Sequence, residues 1–291
     1  MNEKFKGIFP ALLTPFDTED KINFCSLKLL IERLLQQGVS GFYVDGSTAE
    51  SFLLSVEERK SIITAAADYN QGKGAMIAQI GSIATKDAID LAKTAKACGY
   101  DAISSVAPFY YKFSFTEIKK YYYDIVNAVD IPMIIYNIPA FSGVTLSVEQ
   151  MGDFLKDPRF IGVKHTSTDY FAMRQFKTAF PDKIMFNGFD ETFLAGLSMG
   201  AEAAIGSTYN FMAKPFIQIF DLFHNDKIAE AAALQERVDK VIAVLCKYGV
   251  IPGCKAILTD MGIPMGTARA PFMDLKTAQK EDLFNIVKTI L

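Results

Sequence analysis

Histidine is nearly absent from this chain. His165 and His224 are the only two in 291 residues, so a histidine-rich metal site is not available. Cysteine is also scarce. Cys25, Cys98, Cys246 and Cys254 are scattered without a C-x-x-C pair, which argues against a zinc site or a disulfide framework. Reduced thiols in a cytoplasmic protein are expected instead. Neither sign of charge is in excess: the formal net charge is −3, leaving no electrostatic case for nucleic acid or an anionic membrane surface. No apolar run approaches the roughly 20 residues of a membrane span. The opening stretch Met1-Asn2-Glu3-Lys4-Phe5-Lys6 lacks the apolar region of a signal peptide. No acidic cluster demands a carboxylate-bound magnesium. Ser/Gly linkers and low-complexity segments are missing too, so one compact unit is expected.

What is present is apolar residue, at 50% of the chain, enough for one large core. Short β-rich runs recur near residues 7–13, 41–44, 76–80, 102–106, 133–136, 161–163, 184–186 and 203–205. Amphipathic helical stretches separate them, for example 26–37, 56–69 and 87–97, the last with Gly99 just past its end as a stop signal. Eight strands alternating with helices predict an α/β fold, a (β/α)8 TIM barrel. A doubly wound open sheet is the alternative. The strand count and the absence of a Gly-x-Gly-x-x-Gly turn favour the barrel. Beyond about residue 225 the strand signal disappears, and helical patterns cover 227–248, 253–261 and 282–291. The expected organisation is a barrel over 1–224 and a C-terminal helical extension over 225–291.

In such a barrel, chemistry belongs at the C-terminal ends of the strands, and the unusual residues fall there. Lys164 ends the apolar run 160–163. Burial would lower the pKa of its amine, and a neutral amine can attack a carbonyl to form a Schiff base. Alone, the segment reads more readily as a lysine snorkelling into water. After the second run, Asp45-Gly46-Ser47-Thr48-Ala49-Glu50 sets backbone amides beside two hydroxyls, a carboxylate cradle or a plain helix cap. After the fifth comes Tyr136-Asn137-Ile138-Pro139-Ala140, whose tyrosine is a proton shuttle or a rim aromatic. After the seventh, Asn187-Gly188-Phe189-Asp190-Glu191 offers two carboxylates, either to substrate hydroxyls or as caps of the next helix. After the eighth, Gly206-Ser207-Thr208-Tyr209-Asn210 is again rich in hydroxyls.

The joint pattern is more specific than its pieces. Gly-Ser-Thr-x-Glu, Tyr-Asn-Ile-Pro and Gly-Val-Lys, at the second, fifth and sixth runs, resemble the pyruvate-dependent class I aldolase family. The resemblance extends from Ala11-Leu12-Leu13-Thr14-Pro15-Phe16 to the C-terminal helices. Pro108-Phe109-Tyr110-Tyr111 and Ile205-Gly206-Ser207-Thr208 look like the branch that cleaves sialic acid. The branch that makes dihydrodipicolinate carries an arginine two residues after the proline of the fifth loop, where this chain has Phe141. Ala49 replaces the usual second glycine of the Gly-Ser-Thr-Gly-Glu motif, and Asp45 precedes it where a small or neutral residue is commoner.

The resemblance implies a lyase that reversibly splits N-acetylneuraminate into N-acetylmannosamine and pyruvate. By the same resemblance Lys164 forms the imine and Tyr136 moves the proton. Ser47 and Tyr110 complete the relay, Tyr110 arriving from a neighbouring subunit. Ser47 and Thr48 hold the pyruvate carboxylate. Thr166, Gly188, Asp190, Glu191 and Ser207 contact the sugar portion, and His165 has no assigned role. No cofactor is implied, since the lysine supplies the electron sink. A homotetramer built from tight dimers is implied, with small molecules as partners. The alternatives are another 2-keto acid aldolase of the family, the dihydrodipicolinate-forming activity, or a non-catalytic ligand-binding or regulatory barrel.

Overall fold

The computed structural model describes residues 3–290. Eight strands follow one another in the chain: β1 (Gly7–Pro10), β2 (Gly41–Val44), β3 (Ala75–Gln79), β4 (Ala102–Val106), β5 (Met133–Asn137), β6 (Phe160–His165), β7 (Ile184–Asn187) and β8 (Ala203–Gly206). All pair in parallel in the order β1-β8-β7-β6-β5-β4-β3-β2. The ring closes between β1 and β2, where Ala11 bridges Tyr43 and Leu12 N donates to the Tyr43 carbonyl at 2.9 Å. This is the TIM barrel expected from the alternation of strands and helices.

Local chemistry accounts for the helix boundaries. Ser55, Ser114 and Ser147 each open a capping box with Glu58, Glu117 and Gln150, so helices begin at Val56, Phe115 and Val148. Gly38, at φ +87°, supplies the left-handed residue that ends the helix Phe24–Gln37.

Alternation along the strands sorts side chains into two cores. Phe9, Tyr43, Ile77, Ile134, Tyr136, Phe186 and Ile205 fill the barrel interior. Ile8, Phe42, Val44, Ile135, Val163 and Met185 face the surrounding helices. One irregularity decides which way Lys164 faces. Met133 pairs with Phe160, but Ile134 pairs with Gly162, so β6 carries one more residue than β5 at this point. The bulge reverses the alternation. Ile161 faces inward, yet Val163 faces out and Lys164 faces in, level with Tyr136. Gly162 is required here, because a Cβ would overlap the Ile184 carbonyl and side chain.

The structure corrects several boundaries. β1 stops at Pro10, not at residue 13, because Ala11, Leu12 and Leu13 send their amides to three different places: Gly206, Tyr43 and the Asn210 side chain. β6 runs from Phe160 to His165, so Lys164 lies within the strand and His165 ends it. From residue 225 on, the described chain holds only helices: Ile228–Tyr248, Val250–Asp260 and Thr277–Ile290. The first two are bent by 118° at Gly249, which takes φ +114°. The last begins five residues earlier than the periodicity suggested. Gln279 accepts the Lys276 amide at 2.8 Å and starts it there; residue 291 lies outside the described residues. No single described helix is long and apolar enough to cross a membrane.

Candidate active site

Lys164 and Tyr136 are register partners on adjacent strands, both pointing into the upper barrel. The Lys164 amine lies 4.0 Å from the Tyr136 ring centroid and 4.1 Å from that of Tyr43. Those two rings meet edge to face at 6.0 Å. Lys164 is only 4% exposed. Burial pulls its pKa down to about 7, against the opposing pull of the Asp190 carboxylate. Near neutral pH a large fraction of the amine therefore carries a free lone pair. A snorkelling lysine would keep its head in water; this one is buried with a lowered pKa, the condition under which an amine can act as a nucleophile.

Tyr136 is buried as well, which raises its pKa; hydrogen bonding with Ser47 and Thr166 works the other way. The phenol therefore rests protonated, and it can accept a proton only by passing its own onward. Tyr43 donates to Ser104 Oγ at 3.1 Å and packs its face against the lysine.

The cavity over these residues has a volume of about 480 Å3. It brings together Ser47, Thr48, Tyr136, Lys164, Thr166, Gly188, Asp190, Glu191 and Ser207, which come from the ends of five strands. Thr48 Oγ1 and Ser207 Oγ share a hydrogen bond of 2.6 Å that ties the loop after β2 to the loop after β8. Neither Ser47 nor Thr48 caps the next helix; Ser55 does that. Ala49 lies in a 3-10 turn with ordinary backbone, and the residues with positive φ are its neighbours Asp45 (+61°) and Glu50 (+63°). Replacing glycine by Ala49 is therefore free of backbone strain. Asp45 is buried, and Arg59 Nε donates to it at 2.6 Å; burial pushes its pKa up to about 6 despite that guanidinium.

Asp190 does not cap its own helix. Its Oδ2 accepts from the Thr208 amide at 2.8 Å and the Thr208 hydroxyl at 2.6 Å. Burial raises its pKa to about 6, opposed chiefly by those hydrogen bonds. Glu191, next to it, is exposed at the mouth. Two glycines make room for these contacts. A Cβ on Gly188 would overlap the Thr166 hydroxyl, and one on Gly206 would overlap Asp190. Thr166 is buried, and its Oγ1 lies near the Tyr136 hydroxyl without a hydrogen bond of good geometry.

Tyr110 stands apart. It is 85% exposed at φ +75° and is not among the residues lining this cavity. His165 faces the opposite side of β6. Its ring nitrogens meet the Asn137 amide at 3.0 Å and the Asp169 carbonyl at 3.0 Å, a structural role.

The sequence reading missed Tyr43, whose inward alternation in Gly41-Phe42-Tyr43-Val44 was the available signal. It also missed the wall formed by Ile242, Cys246, Val250, Ile251 and Phe272, all from the C-terminal helices and the segment between them. No local pattern marks those. Among the described residues, no group of three or more His, Cys, Asp or Glu side chains is placed to hold a metal ion.

The model of the dihydrodipicolinate synthetase family matches residues 4–290. The chain is 41% identical to N-acetylneuraminate lyase of Rhizobium meliloti (strain 1021), over 99% of this chain and 96% of that one. Among solved structures, Clostridium difficile CdNal in complex with mannosamine superposes with a TM-score of 0.96 at 40% identity, covering 98% of this chain and 99% of that one. The Fusobacterium nucleatum N-acetylneuraminate lyase complexed with pyruvate gives a TM-score of 0.94 at 38% identity, covering 99% and 98%.

Proposed function

The chain belongs to the dihydrodipicolinate synthetase family, and from that premise we propose that it cleaves N-acetylneuraminate reversibly to N-acetylmannosamine and pyruvate. It is a carbon-carbon lyase of the Schiff-base type. The observation that carries this reading is the buried Lys164 amine held against the Tyr136 ring in a cavity rimmed by hydroxyls and carboxylates.

In the proposed mechanism, Lys164 Nζ attacks the keto carbon of the open-chain sugar acid and water leaves. The protonated imine withdraws the electron pair of the breaking carbon–carbon bond, leaving an enamine of pyruvate. Tyr136 takes the proton of the substrate hydroxyl that becomes the aldehyde, passing its own along Ser47; the enamine's terminal carbon gains a proton in turn, and addition of water to the imine frees pyruvate and the Lys164 amine. Ser47 and Thr48 bind the carboxylate. Thr166, Gly188, Asp190, Glu191 and Ser207 bind the sugar. Release of pyruvate from N-acetylneuraminate tests the reading directly, and its absence from protein that still forms an imine would redirect it to another 2-keto acid. The dihydrodipicolinate-forming alternative is disfavoured: among the described residues no arginine lines the cavity, and Phe141, which does, stands 77% exposed. A binder without turnover has no use for Lys164 and Tyr136 together.

Asp190 and Glu191 should separate in their effects. Glu191→Gln is expected to lower kcat/KM for N-acetylneuraminate roughly tenfold or more, the loss of one charge-assisted hydrogen bond, at unchanged Tm. Asp190→Asn should lower both, because its carboxylate also holds Thr208. Kinetics and melting measured on each variant decide this. An unchanged kcat/KM for Glu191→Gln would remove it from the sugar subsite.

The proposed assembly is a cytoplasmic homotetramer. The four thiols are free, as a reducing compartment requires. Tyr110 and Tyr111 are exposed side by side, rings 5.1 Å apart, while Phe109 and Phe113 are half-buried beside them. An exposed aromatic pair of this kind suits an interface, through which Tyr110 would reach a neighbour's relay. Sedimentation is expected to show a tetramer. A fully active monomer would rule out the shared tyrosine.

A further inference from the structure

Glu50 is the last residue of the hydroxyl loop after β2, and it does not face the reacting groups. It sits at φ +63° between two 3-10 turns, Ser47–Ala49 and Ser51–Leu53. Its side chain is fully buried and pairs with the equally buried Lys255 at 2.5 Å. Its other carboxylate oxygen accepts the Arg269 amide at 2.6 Å. Lys255 also donates to the Thr267 carbonyl at 3.1 Å and lies 4.2 Å from the Phe16 ring centroid. Lys255 stands on the helix Val250–Asp260, whose first residues, Val250 and Ile251, line the same cavity as Ser47 and Thr48. One ion pair thus joins the loop of Ser47 and Thr48 to the helix whose start lines the same cavity.

We infer that Glu50 and Lys255 are positioning residues that set the gap between the Ser47–Thr48 hydroxyls and the C-terminal wall, and through it the affinity for the carboxylate of a 2-keto acid. The physical reason is the cost of an unpaired buried charge. Removing either partner strands the other in an apolar site, and the loop or the helix must shift to hydrate it. Neither residue is among those lining the cavity. The inference rests on the pyruvate-dependent reading above, so its test uses pyruvate alone.

Imine trapping by borohydride as a function of pyruvate concentration gives a half-saturation value and a rate at saturation. Glu50→Gln and Lys255→Met are each expected to raise the half-saturating concentration by roughly tenfold, a coupling typical of contacting groups. The saturated rate should stay within about threefold, since the surroundings of Lys164 are untouched. The double variant, with no stranded charge, should recover to within about threefold of wild type. Lys255→Arg keeps the charge and changes only the geometry; it should also shift half-saturation, and it serves if the single neutral variants do not fold. Half-saturation within twofold of wild type in the folded variants, with Tm lowered, would overturn the inference and leave a purely structural pair. Failure of the wild type to trap pyruvate at Lys164 would overturn the pyruvate-dependent reading itself, and the inference with it.

Discussion

Borohydride reduction in the presence of pyruvate is expected to add mass to the peptide carrying Lys164 and to no other lysine. The other deeply buried amines are committed elsewhere. Lys255 is paired with Glu50, and Lys183 donates to the Phe160 carbonyl at 2.8 Å. Among the described residues, only Lys164 combines burial, a cavity and a lowered pKa of about 7. The pH dependence follows from the direction of that shift. The protonated amine has no lone pair, so imine formation should rise by roughly tenfold per pH unit below about 7 and level off above it. A profile still climbing to pH 10 would mean that the lysine keeps its solution pKa. Lys164→Arg should be inactive, because a guanidinium stays protonated and cannot act as the nucleophile. Labelling at a different lysine in active protein would overturn the mechanism.

Replacing Tyr136 by Phe should lower kcat by about 10²-fold or more, the range for losing a general acid–base group. The change removes one oxygen and leaves the ring against Lys164 and Tyr43, so packing is nearly conserved. Imine formation with pyruvate should persist in part, since the amine keeps its burial. That split separates proton transfer from imine chemistry. A variant with kcat close to wild type would return Tyr136 to the role of a packing aromatic and leave proton transfer to Ser47 and its neighbours.

The residues of the site were legible largely because they stand in short segments at strand ends. Gly-Ser-Thr, Tyr-Asn-Ile-Pro and Gly-Val-Lys each place a polar side chain just after or within an apolar run, and one cavity is lined by Ser47, Thr48, Tyr136 and Lys164 together. Asp190 was legible as a carboxylate at the mouth but not as a partner of Thr208, which is 18 residues away. The barrel followed from the count and spacing of strands, a local property of apolar periodicity.

Sequence alone determined the alternation of strands and helices, the helix starts at Ser55, Ser114 and Ser147, and the kind of chemistry available. Each depends on residues within a few positions of one another, where propensity, capping and periodicity act. The direction of Lys164 was decided by tertiary structure. Simple alternation from Ile161 would turn Lys164 outward; the extra residue opposite Met133–Ile134 turns it inward beside Tyr136. Tertiary structure also brought Ile242, Val250, Ile251 and Phe272 over the barrel mouth and buried Glu50 against Lys255. The physical reason is the same in each case. Strand register and helix docking are set by hydrogen bonds and burial between segments tens to hundreds of residues apart, and no local pattern in the chain records them.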